Sequence, residues 1–194
     1  MIRDVTAGNS MVSVILNNFN YGRFVGEAVE SVLGQTYKHF ELIIVDDGST
    51  DNSRIVIDAY GDRRIKKVFQ KNAGQAAAFN AAYRVAKGAI VAFLDSDDAW
   101  SVNKLEECVR LFKTFDDLGP MAGYVALVQH PLEVMDEASC PLGRSLYSLQ
   151  PGLINAFQEY FKNNHAGGFY PTSAICCRKE CRDRVFPQNE ASKS

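Results

Sequence analysis

Asp95, Asp97 and Asp98 place three carboxylates within four positions, directly after the apolar run Ile90-Val91-Ala92-Phe93-Leu94. Acids this close repel one another and gain nothing from folding alone. A bound cation is the simplest way to make the cluster favourable, and oxygen-only ligands select a hard metal such as Mg²⁺ or Mn²⁺. Mg²⁺ typically takes one or two protein carboxylates and completes its shell with substrate phosphates. The stretch therefore reads as a metal–diphosphate site. A structural alternative stands beside it: Asp97 or Asp98 capping a helix that begins near Val102.

The elements needed to position these acids are visible on either side. The run 90–94 has the pattern of a strand buried on both faces, as in a parallel sheet, and such sheets bind ligands at the carboxyl ends of their strands. Phe40-Glu41-Leu42-Ile43-Ile44-Val45 repeats the pattern and ends in Asp46-Asp47-Gly48-Ser49-Thr50-Asp51. Val12 to Leu16 is a third such strand, ending in Asn17-Asn18-Phe19-Asn20-Tyr21-Gly22, and Ile65 to Phe69 is a shorter one. Between the strands, Val25, Ala28, Val29, Val32 and Leu33 recur at helical spacing, as do Ile55, Val56 and Ala59 behind a Thr50 or Asp51 cap. An alanine-rich helix spans about Gln75 to Ala86, its small side chains allowing close approach to the sheet. Leu105, Cys108, Val109, Phe112 and Phe115 mark a fourth helix. Four strand–helix alternations predict an α/β fold, a mostly parallel sheet flanked by helices on both faces.

Beyond Gly119-Pro120 the pattern is weaker. Tyr124 to Gln129 predicts a fifth strand, 131–150 is irregular, Leu153 to Lys162 an amphipathic helix, Asn163 to Tyr170 a loop, and Pro171 to Arg178 a short strand. The division expected is a loose 1–10, an α/β half over 11–118 and a less regular part over 119–194. At the common sheet edge, Phe19 or Tyr21 is placed to stack on a base. A carboxylate there can accept the imide N–H of a uracil-like base, and a metal held by the acids would act as Lewis acid for a departing diphosphate. Taken singly, Asp47-Gly48-Ser49 has a plain turn reading and Phe19 a plain core reading; their meeting at one edge raises the site above its parts.

Composition excludes several classes. Over 194 residues the chain is 46% hydrophobic and 23% charged, with a net charge of −2, as in an ordinary globular domain. No Lys/Arg run exceeds two residues, which argues against a nucleic-acid partner. The first apolar run, Met11 to Leu16, falls far short of the roughly 20 residues that a membrane span needs. No signal-peptide order is present, so a cytoplasmic location is expected, any attachment to the inner face of a membrane falling to parts outside this chain. The five cysteines, Cys108, Cys140, Cys176, Cys177 and Cys181, match no zinc spacing and read as reduced thiols. There is neither a Gly-x-Gly-x-x-Gly turn nor a Walker loop.

The motifs in order resemble the inverting family 2 glycosyltransferases of GT-A fold. Val12-Ser13-Val14-Ile15 with Phe19-Asn20, Glu30-Ser31-Val32-Leu33-x-Gln35-Thr36-Tyr37, Phe40 through Asp51, Asn72-x-Gly74 with Asn80, and Gly88 before the acidic strand carry the resemblance over roughly 12–115. Tyr170-Pro171-Thr172-Ser173 and Phe186-Pro187 look like a subset of that family. The resemblance implies a nucleotide-sugar donor, UDP-sugar foremost, and a glycan, lipid-linked or other hydroxyl acceptor. It gives Asn17, Phe19, Asp47, Gly74 and Asp97 to the nucleotide or its sugar, and Asp98, with Asp95 beside it, to Mn²⁺ or Mg²⁺. Where many members have Pro-x-Tyr-Asn after strand one, this chain has Asn17-Asn18-Phe19-Asn20. Inversion needs a carboxylate base beyond the Thr-Ser strand. Glu190 is the candidate within this chain, Asp183 lying in a charged surface stretch; the alternative is a base beyond it, the chain being an N-terminal piece cut before the base and the acceptor-binding part. The resemblance makes 11–118 the nucleotide-sugar-binding half and 119–194 an acceptor-side part incomplete at its carboxyl end. A non-catalytic nucleotide-sugar-binding module and a nucleotidyltransferase are the alternatives. The second would need a Gly-rich basic loop after strand one, where only Arg23 stands near.

Overall fold

The computed structural model describes residues 10–117, 127–129, 132–136, 138, 140–145 and 172–179. The four strands β1 (Val12–Asn18), β2 (Phe40–Asp46), β3 (Ile65–Phe69) and β4 (Ile90–Asp95) are parallel. They alternate with the helices α1 (Val25–Leu33), α2 (Ser53–Asp58), α3 (Gln75–Val85) and α4 (Lys104–Asp117). Three short strands follow, β5 (Leu127–Gln129), β6 (Glu133–Met135) and β7 (Pro141–Ser145), and then a 3₁₀ turn over Thr172–Ala174 leads into β8 (Ile175–Arg178). β8 lies antiparallel between β4 and β5, so the main sheet has the order β3-β2-β1-β4-β8-β5. The expected α/β architecture is present, and the sheet draws strands from both 11–118 and 119–194.

The apolar runs form strands because both of their faces are covered. Val14, Leu16, Leu42, Ile44, Ile90 and Leu94 point to one side, against Val25, Ala28 and Val29 of α1 and Leu105 and Phe112 of α4. Ile15, Ile43, Val45, Val91 and Phe93 point to the other, against Ala78 and Ala82 of α3. The alanines do let α3 lie close; Phe79 reaches past them to meet Phe93 edge-on at 5.3 Å. Gln35, fully buried after α1, ties the two helices of the first face. Its Nε2 donates to the carbonyls of Ser31 and Ser101, and its Oε1 accepts the Leu105 amide.

Several local expectations change. Residues 131–150 contain a hairpin, β6 paired antiparallel with β7, where an irregular segment was expected. These strands are too short and too irregular in register to show a period-2 pattern. The Pro171–Arg178 strand is divided, its first part a 3₁₀ turn. Asp97 and Asp98 cap nothing, since α4 begins at Lys104. Neither Thr50 nor Asp51 is the N-cap of α2; Asn52 is, and Asp51 accepts the Ser53 amide instead. The Leu153–Lys162 helix, the Asn163–Tyr170 loop and Cys181 lie outside the described residues. Cys108, Cys176 and Cys177 are buried and Cys140 is exposed, none of the four in a disulfide. Among the described residues no helix is long and apolar enough to cross a membrane.

The amino-terminal edge of the sheet carries a buried polar network. Glu41 accepts from the Ser13 hydroxyl (2.7 Å) and the Lys87 amide (2.6 Å) and pairs with Lys66 (2.5 Å). Burial pushes its carboxyl up, but Lys66 and these hydrogen bonds outweigh it and hold the group below its ordinary value. A carboxyl depressed in the folded state stabilises fully above its unfolded pKa, about 4.3, and loses that contribution as pH falls through the folded value. Glu41→Ala should cost about 1–3 kcal/mol at pH 7 by stranding the buried donors. Urea melts of parent and variant should then converge as the pH is lowered from 6 to 3; a constant gap would refute the assignment.

Candidate functional site

The site is built from the last rungs of three parallel strands. Asn17 stands opposite both Val45 and Asp95, and Asn18 opposite Asp46. Past these rungs the β1 and β2 loops are stitched together. Asn20, with φ near +59°, accepts the Thr50 amide at 2.7 Å while its own amide donates to the Ser49 hydroxyl at 2.9 Å. Asp46 accepts from Asn18 Nδ2 at 2.8 Å, and Asp51 accepts the Gly22 amide at 2.9 Å. The stitched loop turns Phe19 and Tyr21 outward, each 42% exposed. With Asn17, Gln75, Asp95, Ser96 and Asp97 they line a cleft of about 240 Å³. Phe19 is therefore a cleft wall and not a core residue. Asn17 Oδ1 is buried there with no hydrogen-bond partner among the described residues, an acceptor awaiting a donor.

Asp47 is buried beside this cleft and is bound by the loop that follows β3. Its Oδ1 accepts from Gln70 Nε2 (2.6 Å) and the Ala73 amide (3.0 Å), and its Oδ2 from the Gly74 amide (2.8 Å). A carboxylate offers about four lone-pair sites. Three of these are taken here. The loops pack so closely that a Cβ on Gly48, whose φ is +78°, would lie 2.5 Å from the Asn72 amide nitrogen. The Gly48 turn and the Asn72-x-Gly74 segment thus form one unit around Asp47.

The acidic stretch is shared between two hollows. Asp95 faces the first, where Gln75 Nε2 lies 3.5 Å from its Oδ1. Asp98 faces a second, of about 220 Å³, with Phe24, Glu27, Ala99 and residues 132–136 of the hairpin strand β6 and its flanks; Asp97 lines both. Burial pushes the Asp98 carboxyl above its ordinary value; the Ser173 hydroxyl bond opposes this, the Asp97 charge adds to it, and Lys104 opposes it. The acids do not form a closed cage: among the described residues no three carboxylate, imidazole or thiolate groups converge to hold a metal. Asp95, Asp97 and Asp98 offer carboxylate oxygens alone, the donor type that suits a hard cation such as Mg²⁺ or Mn²⁺.

Asn17, Phe19, Asp95 and Asp97 are thus brought into one cleft. Asp47 and Gly74 are bonded to each other beside it, Asp98 opens on the neighbouring hollow, and Glu190 lies outside the described residues. Sequence reading missed Gln75, and it missed Ser173 as a partner of the acids. Ser173 is 75 or more positions along the chain from Asp95 and Asp98, a separation at which no local pattern signals contact.

The profile of glycosyl transferase family 2 matches residues 13–132, well over half of the chain. The chain belongs to that family. An uncharacterised glycosyltransferase of Nostoc sp. is 39% identical over 179 residues, covering 91% of this chain and 53% of its own length. A relative with a more specific name, the UDP-Glc:alpha-D-GlcNAc-diphosphoundecaprenol beta-1,3-glucosyltransferase of Escherichia coli, is 43% identical over 97 residues, half of this chain and 38% of that protein. In fold, the family 2 domain is similar to the crystal structure of S. aureus TarS 1–349 in complex with UDP-GlcNAc, with a TM-score of 0.68 and 21% identity over 90% of this chain and 47% of that one. The chain spans about half the length of the Nostoc relative.

The Gly48 contact gives a direct test of this arrangement. Gly48→Ala must adopt a left-handed backbone and displace the Asn72 segment, so a stability loss of about 1–3 kcal/mol is expected. Denaturant melts would measure it, and amide exchange at Ala73 and Gly74 should quicken in the same variant as their bonds to Asp47 loosen.

Proposed function

We propose that this family 2 domain binds a nucleotide-sugar, with UDP-sugar the leading donor class, and serves transfer of the sugar to an acceptor hydroxyl with inversion. The observation that carries the reading is the cleft in which two outward aromatics, Phe19 and Tyr21, and the acceptor of Asn17 face Asp95 and Asp97. An exposed aromatic pair is costly to leave in water and suits a base, whose flat face it can cover. Asp47 stands beside them, a carboxylate suited to an imide N–H. The acids stand where the diphosphate and sugar would follow. The UDP-Glc in the name of the E. coli relative and the UDP-GlcNAc in the TarS complex support UDP as carrier. The acceptor named for that E. coli relative, a sugar on a lipid diphosphate, supports a glycan or lipid-linked hydroxyl here.

In this reading Asp98 would hold Mn²⁺ or Mg²⁺, with Asp95 as a neighbouring ligand and Asp97 directed to the ribose or sugar. Such a cation, when bound, supplies Lewis-acid stabilisation of the charge that builds on the leaving diphosphate. The chain's own groups do the rest: Phe19 and Asp47 orient the base, Asn17 fixes the nucleoside, and Asp97 positions the sugar for direct displacement. Glu190 is the proposed base that takes the acceptor proton.

Calorimetric titration of UDP with and without Mn²⁺ tests the assignment. The parent should bind UDP more tightly with metal, and Asp98→Ala should lose that gain while keeping the metal-free affinity. Phe19→Ala should weaken UDP by about 1–3 kcal/mol in either condition, the usual worth of a base–aromatic stack. Absence of any metal-dependent gain in the parent would overturn the proposal.

A further inference from the structure

Lys104 is a charged residue in a place where a charge is unfavourable. It is 5% exposed, and it occupies the first position of α4, where the helix dipole disfavours a cation. Its ammonium group donates to the Ser173 carbonyl at 2.5 Å and lies 4.2 Å from the centre of the Trp100 ring. Trp100 Nε1 donates to the same carbonyl at 3.1 Å. The other end of Ser173 meets the acidic stretch: its hydroxyl accepts the Asp95 amide at 2.8 Å and is bonded to the Asp98 carboxylate. One residue of the 3₁₀ turn thus joins the two ends of the segment from Asp95 to Lys104, and its carbonyl is gripped twice from below.

We infer that Lys104 is a positioning residue: by gripping the Ser173 carbonyl it aims the Ser173 hydroxyl at the acidic stretch and fixes where the Asp95 backbone and the Asp98 carboxylate stand. The alternative is a charge effect only, in which Lys104 offsets the surplus of negative charge around Asp98. The two roles predict opposite signs for a cation ligand. Removing a nearby positive charge strengthens cation binding at Asp98, whereas removing a support for its geometry weakens it. Supports of this kind around metal-ligating carboxylates are commonly worth about 10- to 100-fold in affinity. The metal part of the inference rests on the function proposed above; the positional part does not.

The test uses the whole chain, with Lys104→Met, Ser173→Ala and the double variant, each first shown to be folded by its thermal melt. Ser173→Ala keeps the carbonyl that Lys104 grips and removes only the hydroxyl, so it separates loss of aim from loss of packing. Without any ligand, amide exchange at Asp95 should quicken by about tenfold in both single variants, while core amides such as Ile15 and Ile43 keep their rates. With UDP present, Mn²⁺ should bind about 10- to 100-fold more weakly in both, and the double variant should be no weaker than the worse single one, as expected for residues acting along one path. Unchanged Asp95 exchange in Lys104→Met, or Mn²⁺ binding as tight as or tighter than in the parent, would overturn the inference. A parent that fails to bind UDP and Mn²⁺ would overturn the proposed function instead, and the exchange measurement would still decide the role of Lys104.

Discussion

The register of β1 against its two neighbours is the constraint on which the rest depends. Pairing Asn17 with Asp95 and Asn18 with Asp46 brings three chemically distinct loops to the same row of the sheet. Because side chains alternate across a strand, a slip of one residue would exchange the two faces of β1. Val14 and Leu16 would then leave the α1–α4 side, and Ile15 would leave α3. The hydrophobic packing on both faces is thus what holds the polar ends of the strands in line. The apolar core and the site are consequences of one alignment.

Within that alignment the polar residues are divided between support and exposure. Asp46, Asn18, Ser49, Asn20 and Asp51 spend their hydrogen bonds on one another and on backbone amides, so they shape the loops. Asp47 does the same for the loop after β3. Phe19, Tyr21 and Asp97 are left facing outward, and the side-chain oxygens of Asn17 and Asn18 are buried without a hydrogen-bond partner among the described residues. The division explains why so acidic an edge is tolerable: several of its carboxylates are already met by donors.

Much of this was legible in the order of residues. Runs such as Phe40 to Val45 can be buried on both faces only in a covered parallel sheet, and the acids at their ends follow from chain direction. The alanines of α3 announced a close helix. What stayed hidden depends on distance or on compactness. The β6–β7 hairpin is too short to show alternation. The capping role suggested for Asp97 and Asp98 failed because six residues of loop separate Asp97 from α4, a spacing that helix periodicity alone does not fix. The meeting of Asp98 with Ser173, and of Gln35 with Leu105, spans most of a domain, and nothing local in either partner marks the other. Lys104 is a cation at a helix start, but the sequence named no partner for it.

The place of β8 has a consequence for the order in which the domain assembles. β1 to β4 and their helices are joined by connections of a few tens of residues, whereas Ser173 returns to Asp95 across a separation of 78. Closing that longer loop carries a larger entropic cost and cannot precede synthesis of the later segment. On a growing chain the wall of the cleft formed by Asn17, Phe19 and Tyr21 can therefore take shape while the acidic stretch still lacks its lid of hydrogen bonds. The edge of β4 waits open until β8 arrives to cover it, so the acid-bearing part of the domain is completed last.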